Sequence, residues 1–328
     1  MPVPSLNELL ETAHVVALPM VTRFRGITTR EALLLRGPQG WSEFSPFIEY
    51  EDAEASAWLA AAIDFGWQHQ PQPLREVIPV NATVPAVAAD QVAEVLARFP
   101  GCRTAKVKVA DPGGTLADDV ARVRAVRETL GVEGRIRIDA NALWNVDEAE
   151  HAIHALAEFD LEYVEQPCAT IGELVEIRTR TKYMGVPIAA DESVRKASDP
   201  LEVARAGAAD ILVVKAQPLG GIAAALRIVA DAGLPVVVSS ALDTSVGLAM
   251  GAWLAGCVPE LEYDCGLATA ALLQADVASE PVLPRDGTIE VRRVEADPTL
   301  LERHAAPPER RAWWLARLER CHAALTEN

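Results

Sequence analysis

Short β-branched runs alternate with amphipathic stretches through most of the chain. Ile78–Val84, Ala105–Val109, Arg135–Asp139, Leu161–Glu165, Pro187–Asp191, Ile211–Lys215, Pro235–Ser239 and Leu261–Asp264 read as eight strands. The polar residues that end the later runs, Asp139, Glu165, Asp191, Lys215 and Ser239, fall 24 to 26 residues apart, the length of one strand, one helix and two loops. Between runs, Leu116, Val120, Val123, Val126 and Leu130 recur at three- and four-residue steps and stop at Gly131. Ile153, Leu156 and Phe159 repeat the pattern behind Asn145 and Glu148, an N-cap and its third helical residue. Later helices stop at Gly185, Gly207 and Gly233, with Pro187 and Pro235 opening the next strands. Strands joined by helices pair in parallel and bury both sheet faces, and eight such units close as an α/β barrel.

The flanks carry a different pattern. His14–Leu18 and Glu31–Leu35 read as strands, a Gly37-Pro38 turn follows, and a helix runs from Asp52 to Phe65. Residues 1–77 are therefore expected to form a small α+β domain, with the barrel over 78–280. The tail, 281–328, holds a strand over Thr288–Arg292 and a terminal helix whose Trp314, Leu315, Leu318 and Leu325 face a core.

With half of its 328 residues hydrophobic, the chain can fill a barrel, and disordered or collagen-like structure is excluded. A net charge of −17 argues against nucleic-acid binding. The five cysteines are odd in number and widely spaced, which suits reduced thiols in the cytoplasm. Met1 to Met20 lacks a basic segment followed by an apolar run, so no signal peptide is expected. The uncharged stretch Thr244–Pro259 is too short for a membrane span and reads as a buried helix, so no membrane partner is expected. The number of copies in any homo-oligomer is left open.

Reactive side chains of a parallel barrel come from the C-terminal ends of its strands. Three consecutive strands end in carboxylates, Asp139, Glu165 and Asp191. One such carboxylate commonly caps the following helix, but three in phase with the repeat would repel one another unless a divalent cation joined them. Oxygen-only ligands favour Mg²⁺ or Mn²⁺ over zinc. Lys106 and Lys108 share one face of the second strand, and Lys215 ends the sixth, across the barrel mouth. An ammonium is costly to bury, so lysines beside an acidic metal site point to proton transfer next to a carboxylate. A Schiff base at Lys215 is an alternative, for which three carboxylates are poor neighbours. His151 and His154, three apart, have no evident third ligand and suit a solvated helix face. Cys168 is expected to be a small residue of the pocket wall, and Glu192, facing away from Asp191, to orient another group.

Lys106-Val-Lys108, Asp139-Ala-Asn141, Val164-Glu-Gln-Pro167, Ala190-Asp-Glu-Ser193 and Lys215 together resemble the enolase superfamily, in its muconate-cycloisomerase-like branch. The resemblance covers nearly the whole chain and implies a modified (β/α)7β barrel under a capping domain built from both termini. Arg23–Gly26, Gly40–Pro46, Ser239–Gly247 and Ala305–Arg311 look like the actinobacterial form of a subgroup that makes o-succinylbenzoate. By that resemblance the substrate is a small carboxylate, 2-succinyl-6-hydroxy-2,4-cyclohexadiene-1-carboxylate, dehydrated with Mg²⁺ in menaquinone biosynthesis. Lys108 would be the acid and base, Lys215 a cation across the ring and Lys106 a partner of the carboxylate. Asp139, Glu165 and Asp191 would hold the metal, Asn141, Ser239, Ser240 and Gly266 would line the pocket, and the cap loop near Arg25-Gly26 would close over the succinyl tail. The same two lysines would serve an N-succinylamino acid racemase or a dipeptide epimerase.

Overall fold

The computed structural model describes residues 3–195 and 199–326. A short helix, α1 (Leu6–Glu11), leads into an antiparallel sheet of β1 (His14–Phe24), β2 (Ile27–Gly37) and β3 (Gly40–Phe44). Arg25 and Gly26 make the two-residue turn between β1 and β2, both at positive φ, as the twist of a tight hairpin demands. Helix α2 (Asp52–Trp67) packs over this sheet and completes the N-terminal part of the cap.

Strand β4 (Val77–Pro79) precedes the seven parallel strands of the barrel sheet. These are β5 (Ala82–Val84), β6 (Thr104–Lys108), β7 (Arg135–Asp139), β8 (Leu161–Glu165), β9 (Ile188–Ala190), β10 (Ile211–Val214) and β11 (Val236–Val238), in chain order across the sheet. The intervening helices are α3 (Val92–Leu96), α4 (Leu116–Leu130), α5 (Val146–Leu156), α6 (Ile171–Thr181), the short α7 (Glu192–Arg195) and α8 (Glu202–Arg205), then α9 (Ile222–Ala232) and α10 (Ser245–Cys257). Helices α4, α5 and α6 each open with a reciprocal capping box, at Thr115/Asp118, Asn145/Glu148 and Thr170/Glu173. The uncharged α10 is buried along almost its whole length.

Two of the eight expected strands differ from the sequence reading. Ile78–Val84 divides: β4 pairs antiparallel with β12 (Thr288–Glu290), and only β5 enters the barrel. The eighth position is held by Cys265 and Gly266, just beyond Leu261–Asp264, through single bridges to Val80 and Ser239. Backbone bonds Cys265 N to Pro79 O and Gly266 N to Val238 O close the ring on both sides, giving seven βα units and a last strand-like segment. After β12 come α11 (Pro298–Arg303) and α12 (Pro308–Thr326), which lies against α2. Trp314 is fully buried there, its ring perpendicular to that of Phe44, as its helical spacing implied.

Candidate active site

The acidic residues stand where the strand rhythm placed them. Asp139 and Glu165 end β7 and β8 in direct register, and Asp191 follows β9 by one residue. Lys106 and Lys108 lie on β6, and Lys215 follows β10, so the carboxylate-bearing strands β7 to β9 separate the two lysine positions. All except the half-buried Lys108 are buried.

Each carboxylate is engaged by cations. Lys106 Nζ donates to Glu165 Oε1 and Oε2 at 2.9 and 3.1 Å and stands 3.4 Å from Asp139 Oδ2. Lys108 Nζ donates to Asp139 Oδ2 at 2.5 Å and to Asn141 Oδ1 at 2.8 Å, 5.5 Å from the centre of the Phe24 ring. Across the mouth, Lys215 Nζ donates to Asp191 Oδ2 at 2.5 Å, while Arg195 Nε holds Oδ1 at 3.2 Å. Arg195 is one helical turn from Asp191, and it also reaches Glu192 Oε1 at 2.8 Å and the Tyr50 hydroxyl of the cap at 2.9 Å. The Glu192 carboxylate orients neighbours, as expected, although it opens α7 rather than lying on a strand; it accepts from Asn141 Nδ2 at 3.3 Å.

The electrostatics follow from burial opposed by pairing. Burial would raise the Asp139 carboxyl, yet Lys108 and Lys106 hold it well below the usual range. Against the same opposition, Lys215 and Arg195 hold Asp191 low. Glu165 is pushed up to about 7 by burial and by the Asp139 and Asp191 charges, with Lys106 opposing. Burial pushes the Lys108 ammonium below its ordinary value; Asp139 opposes that shift and Lys106 adds to it.

Among the described residues, no three His, Cys, Asp or Glu side chains converge as a closed ligand group. The chemistry of the donors nevertheless fits a hard divalent cation. Asp139, Glu165 and Asp191 are oxygen donors from adjacent strands, and the Asp139 and Asp191 charges add to the burial that raises Glu165.

These groups open into a small cavity between barrel and cap. Asn141, Ser239, Ser240 and Gly266 line it, together with both lysines of β6, Lys215, Asp139 and Asp191. Glu165 lies beneath Lys106 and outside the lining. Gly266 lets Ser239 approach: a Cβ there would lie 2.5 Å from Ser239 Oγ. From the cap come Arg25, Phe47, Tyr50 and Trp58, and from the last barrel segment Thr269. Apart from Arg25, sequence reasoning missed these, because loop and cap residues carry no strand-end signal; Arg195 had one, its i,i+4 spacing from Asp191. Cys168 is fully buried and lies outside the cavity lining, correcting its expected place in the wall. His151 and His154 are exposed on α5, and His154 bonds the Tyr183 hydroxyl at 2.8 Å.

Residues 87–296 match the enolase C-terminal domain-like family and residues 15–66 the enolase N-terminal domain-like family. The chain belongs to the enolase superfamily. Within it, the chain is 56% identical over 324 residues to a Mycolicibacterium smegmatis protein named o-succinylbenzoate synthase, covering 98% of this chain and 99% of the relative. A Mycobacterium tuberculosis protein of the same name is 56% identical over 326 residues, covering 99% and 98%. Among solved structures, the chain is similar to muconate lactonizing enzyme from Pseudomonas fluorescens, with a TM-score of 0.78 at 21% identity, covering 90% of this chain and 98% of that one. The 2-chloromuconate cycloisomerase of Rhodococcus opacus gives 0.75 at 21% identity over the same shares.

Proposed function

We propose that this chain dehydrates 2-succinyl-6-hydroxy-2,4-cyclohexadiene-1-carboxylate to o-succinylbenzoate, the activity its relatives' name denotes, as a carbon–oxygen lyase of menaquinone biosynthesis in the cytoplasm. The observation that carries the chemistry is the pair of lysines, Lys108 and Lys215, on opposite sides of one cavity with the carboxylate-bearing strands between them. Residues 78–280 form the barrel, and 1–77 with 281–328 its cap.

Asp139, Glu165 and Asp191 would hold Mg²⁺ or Mn²⁺, which when bound supplies positive charge to a substrate carboxylate that gains electron density. Lys108, in its neutral form, takes the proton from the carbon bearing the ring carboxylate; burial shifts its ammonium in that direction, with Asp139 opposing. The C–H electron pair moves into the carboxylate as an enediolate, with the Lys106 ammonium beside its oxygens. The electrons then return, the C–OH bond breaks, and Lys108 gives the same proton to the departing hydroxyl. Water leaves, the ring becomes aromatic and Lys108 is again neutral: a syn elimination with no net proton change. Lys215 remains an ammonium over the opposite ring face. Asn141 orients Lys108 through their 2.8 Å bond, Ser239, Ser240 and Gly266 shape the wall, and the Arg25–Gly26 turn covers the succinyl arm. The racemase alternative uses the same lysines, and the relatives' name selects dehydration between the two.

The test is to supply the purified protein with Mg²⁺ and the cyclohexadiene and to follow the aromatic product. Turnover that chelation of the divalent cation abolishes, that added Mg²⁺ restores and that Lys108→Ala loses is the expected result. Absence of dehydration, with α-proton exchange in an N-succinylamino acid instead, would replace this reaction by racemisation on the same scaffold.

A further inference from the structure

Trp58 projects from α2 of the cap into the wall of the cavity that holds the lysines, and it is only 1% exposed. Its ring leans on Tyr50, with centroids 6.1 Å apart. Its indole nitrogen is buried and has no hydrogen-bond partner among the described residues. Other indoles in the molecule are satisfied: Trp253 Nε1 donates to Pro71 O at 2.8 Å and Trp314 Nε1 to Glu31 Oε2 at 2.9 Å. An indole N–H can only donate, and leaving a donor unpaired in a dry wall is costly.

We infer that Trp58 is a specificity-determining residue whose Nε1–H donates to an oxygen of the substrate's succinyl arm. The inference rests on the reaction proposed above. The ring carboxylate belongs at the strand ends, among Lys106, Lys108 and the three acidic residues. Trp58 enters from the opposing cap wall beside Phe47 and Tyr50, so the part of the substrate that meets it is the arm rather than the reacting ring. Both oxygen groups of the arm, ketone and carboxylate, are acceptors. An N–H fixed by a packed ring discriminates sharply, because a ligand lacking the acceptor leaves the donor unpaired.

The experiment compares wild type with Trp58→Phe, which keeps an aromatic ring and removes the N–H. Inhibition constants against turnover are measured for o-succinylbenzoate and for benzoate, which has the carboxylated ring without the arm. The expected result is about tenfold weaker o-succinylbenzoate binding in the variant, an unchanged benzoate constant, and KM raised with little change in kcat. In indole ¹⁵N–¹H spectra, the resonance missing from the variant identifies Trp58; in wild type it should shift with o-succinylbenzoate and stay in place with benzoate. Equal weakening of both ligands would mark a packing role, and no weakening a donor satisfied by water; either overturns the inference while an active wild type leaves the reaction standing. A wild type inert toward the cyclohexadiene overturns the reaction on which the inference rests.

Discussion

Lys108 and Lys215 are the same residue type on opposite sides of one cavity. Each shares its carboxylate with a second cation, Lys108 sharing Asp139 with Lys106 and Lys215 sharing Asp191 with Arg195, and burial pushes the Lys108 ammonium below its ordinary value. A base at Lys108 and a fixed cation at Lys215 are the roles proposed for them, and substitution separates the two. Lys108→Ala should lower kcat by about 10³-fold, within the range for losing a general acid and base. It should also abolish exchange of the substrate α-proton with deuterated solvent. Lys215→Arg keeps the cation and should retain more activity than Lys215→Ala, while exchange survives in both; loss of exchange in Lys215→Ala would make it a second base. The lysines and carboxylates were legible in the sequence because strand ends are fixed by a repeat, and a charge at each end has one direction to point. Trp58, Tyr50 and Thr269 were not, since their places depend on how cap and last segment close over the barrel.

Helix α10 shows the same limit for an element. Its apolar run announced a buried helix, but not that its N-terminus is held by an acid from the cap. Glu43 Oε2 accepts from Thr244 Oγ1 at 2.5 Å and from the Thr244 and Gly247 N–H groups, each at 3.1 Å. Helix propensity alone makes Gly247→Ala stabilising by up to about 1 kcal/mol. Packing says otherwise, because an added Cβ would lie 2.8 Å from the Glu43 carboxylate and 2.7 Å from Asp243 Cβ. Breaking a buried, charge-accepting cap should win, and the variant should be about 2 kcal/mol less stable in urea unfolding. Burial raises Glu43 to about 7, helped by Asp243, and raises Asp243 to about 6, with Arg30 opposing both. Their folded values lie above the unfolded 4.5 and 3.8, so the folded state binds protons more tightly. The pair's contribution is therefore complete in acid and lost as pH rises through 6 to 7. Between pH 5 and 8 the wild-type Tm should fall more than that of Glu43→Gln, a difference from which the other titrating groups cancel. The barrel sheet was legible because parallel strands repeat. Closure at Cys265 and Gly266 was not, since single bridges leave no run of apolar residues, and β4 was merged with β5 because hydrophobicity does not record strand direction.

Across the whole molecule, the cavity wall is braced from outside by the helix at the C-terminal end of the chain. Arg317 of α12 is buried and donates from Nη1 to Phe47 O at 3.1 Å and from Nη2 to Tyr50 O. Phe47 and Tyr50 line the cavity, and the Tyr50 hydroxyl meets the guanidinium of Arg195, which holds Asp191. The C-terminal helix is thus tied to a strand-end carboxylate through one loop of the cap. Since Arg317 touches no reacting group, its loss should loosen the wall around the substrate more than it changes the chemistry. Arg317→Met fills similar volume and removes both guanidinium bonds to the loop carbonyls, a cost of about 2 kcal/mol in stability. Its KM should rise about tenfold with kcat within about threefold of wild type, the pattern of lost binding that is equal in ground and transition states. Arg317→Lys should not rescue it, because one ammonium on a flexible stem does not reproduce a planar fork reaching two carbonyls. A fall in kcat as large as the rise in KM would show that the loop positions the reacting groups as well, through Tyr50, Arg195 and Asp191.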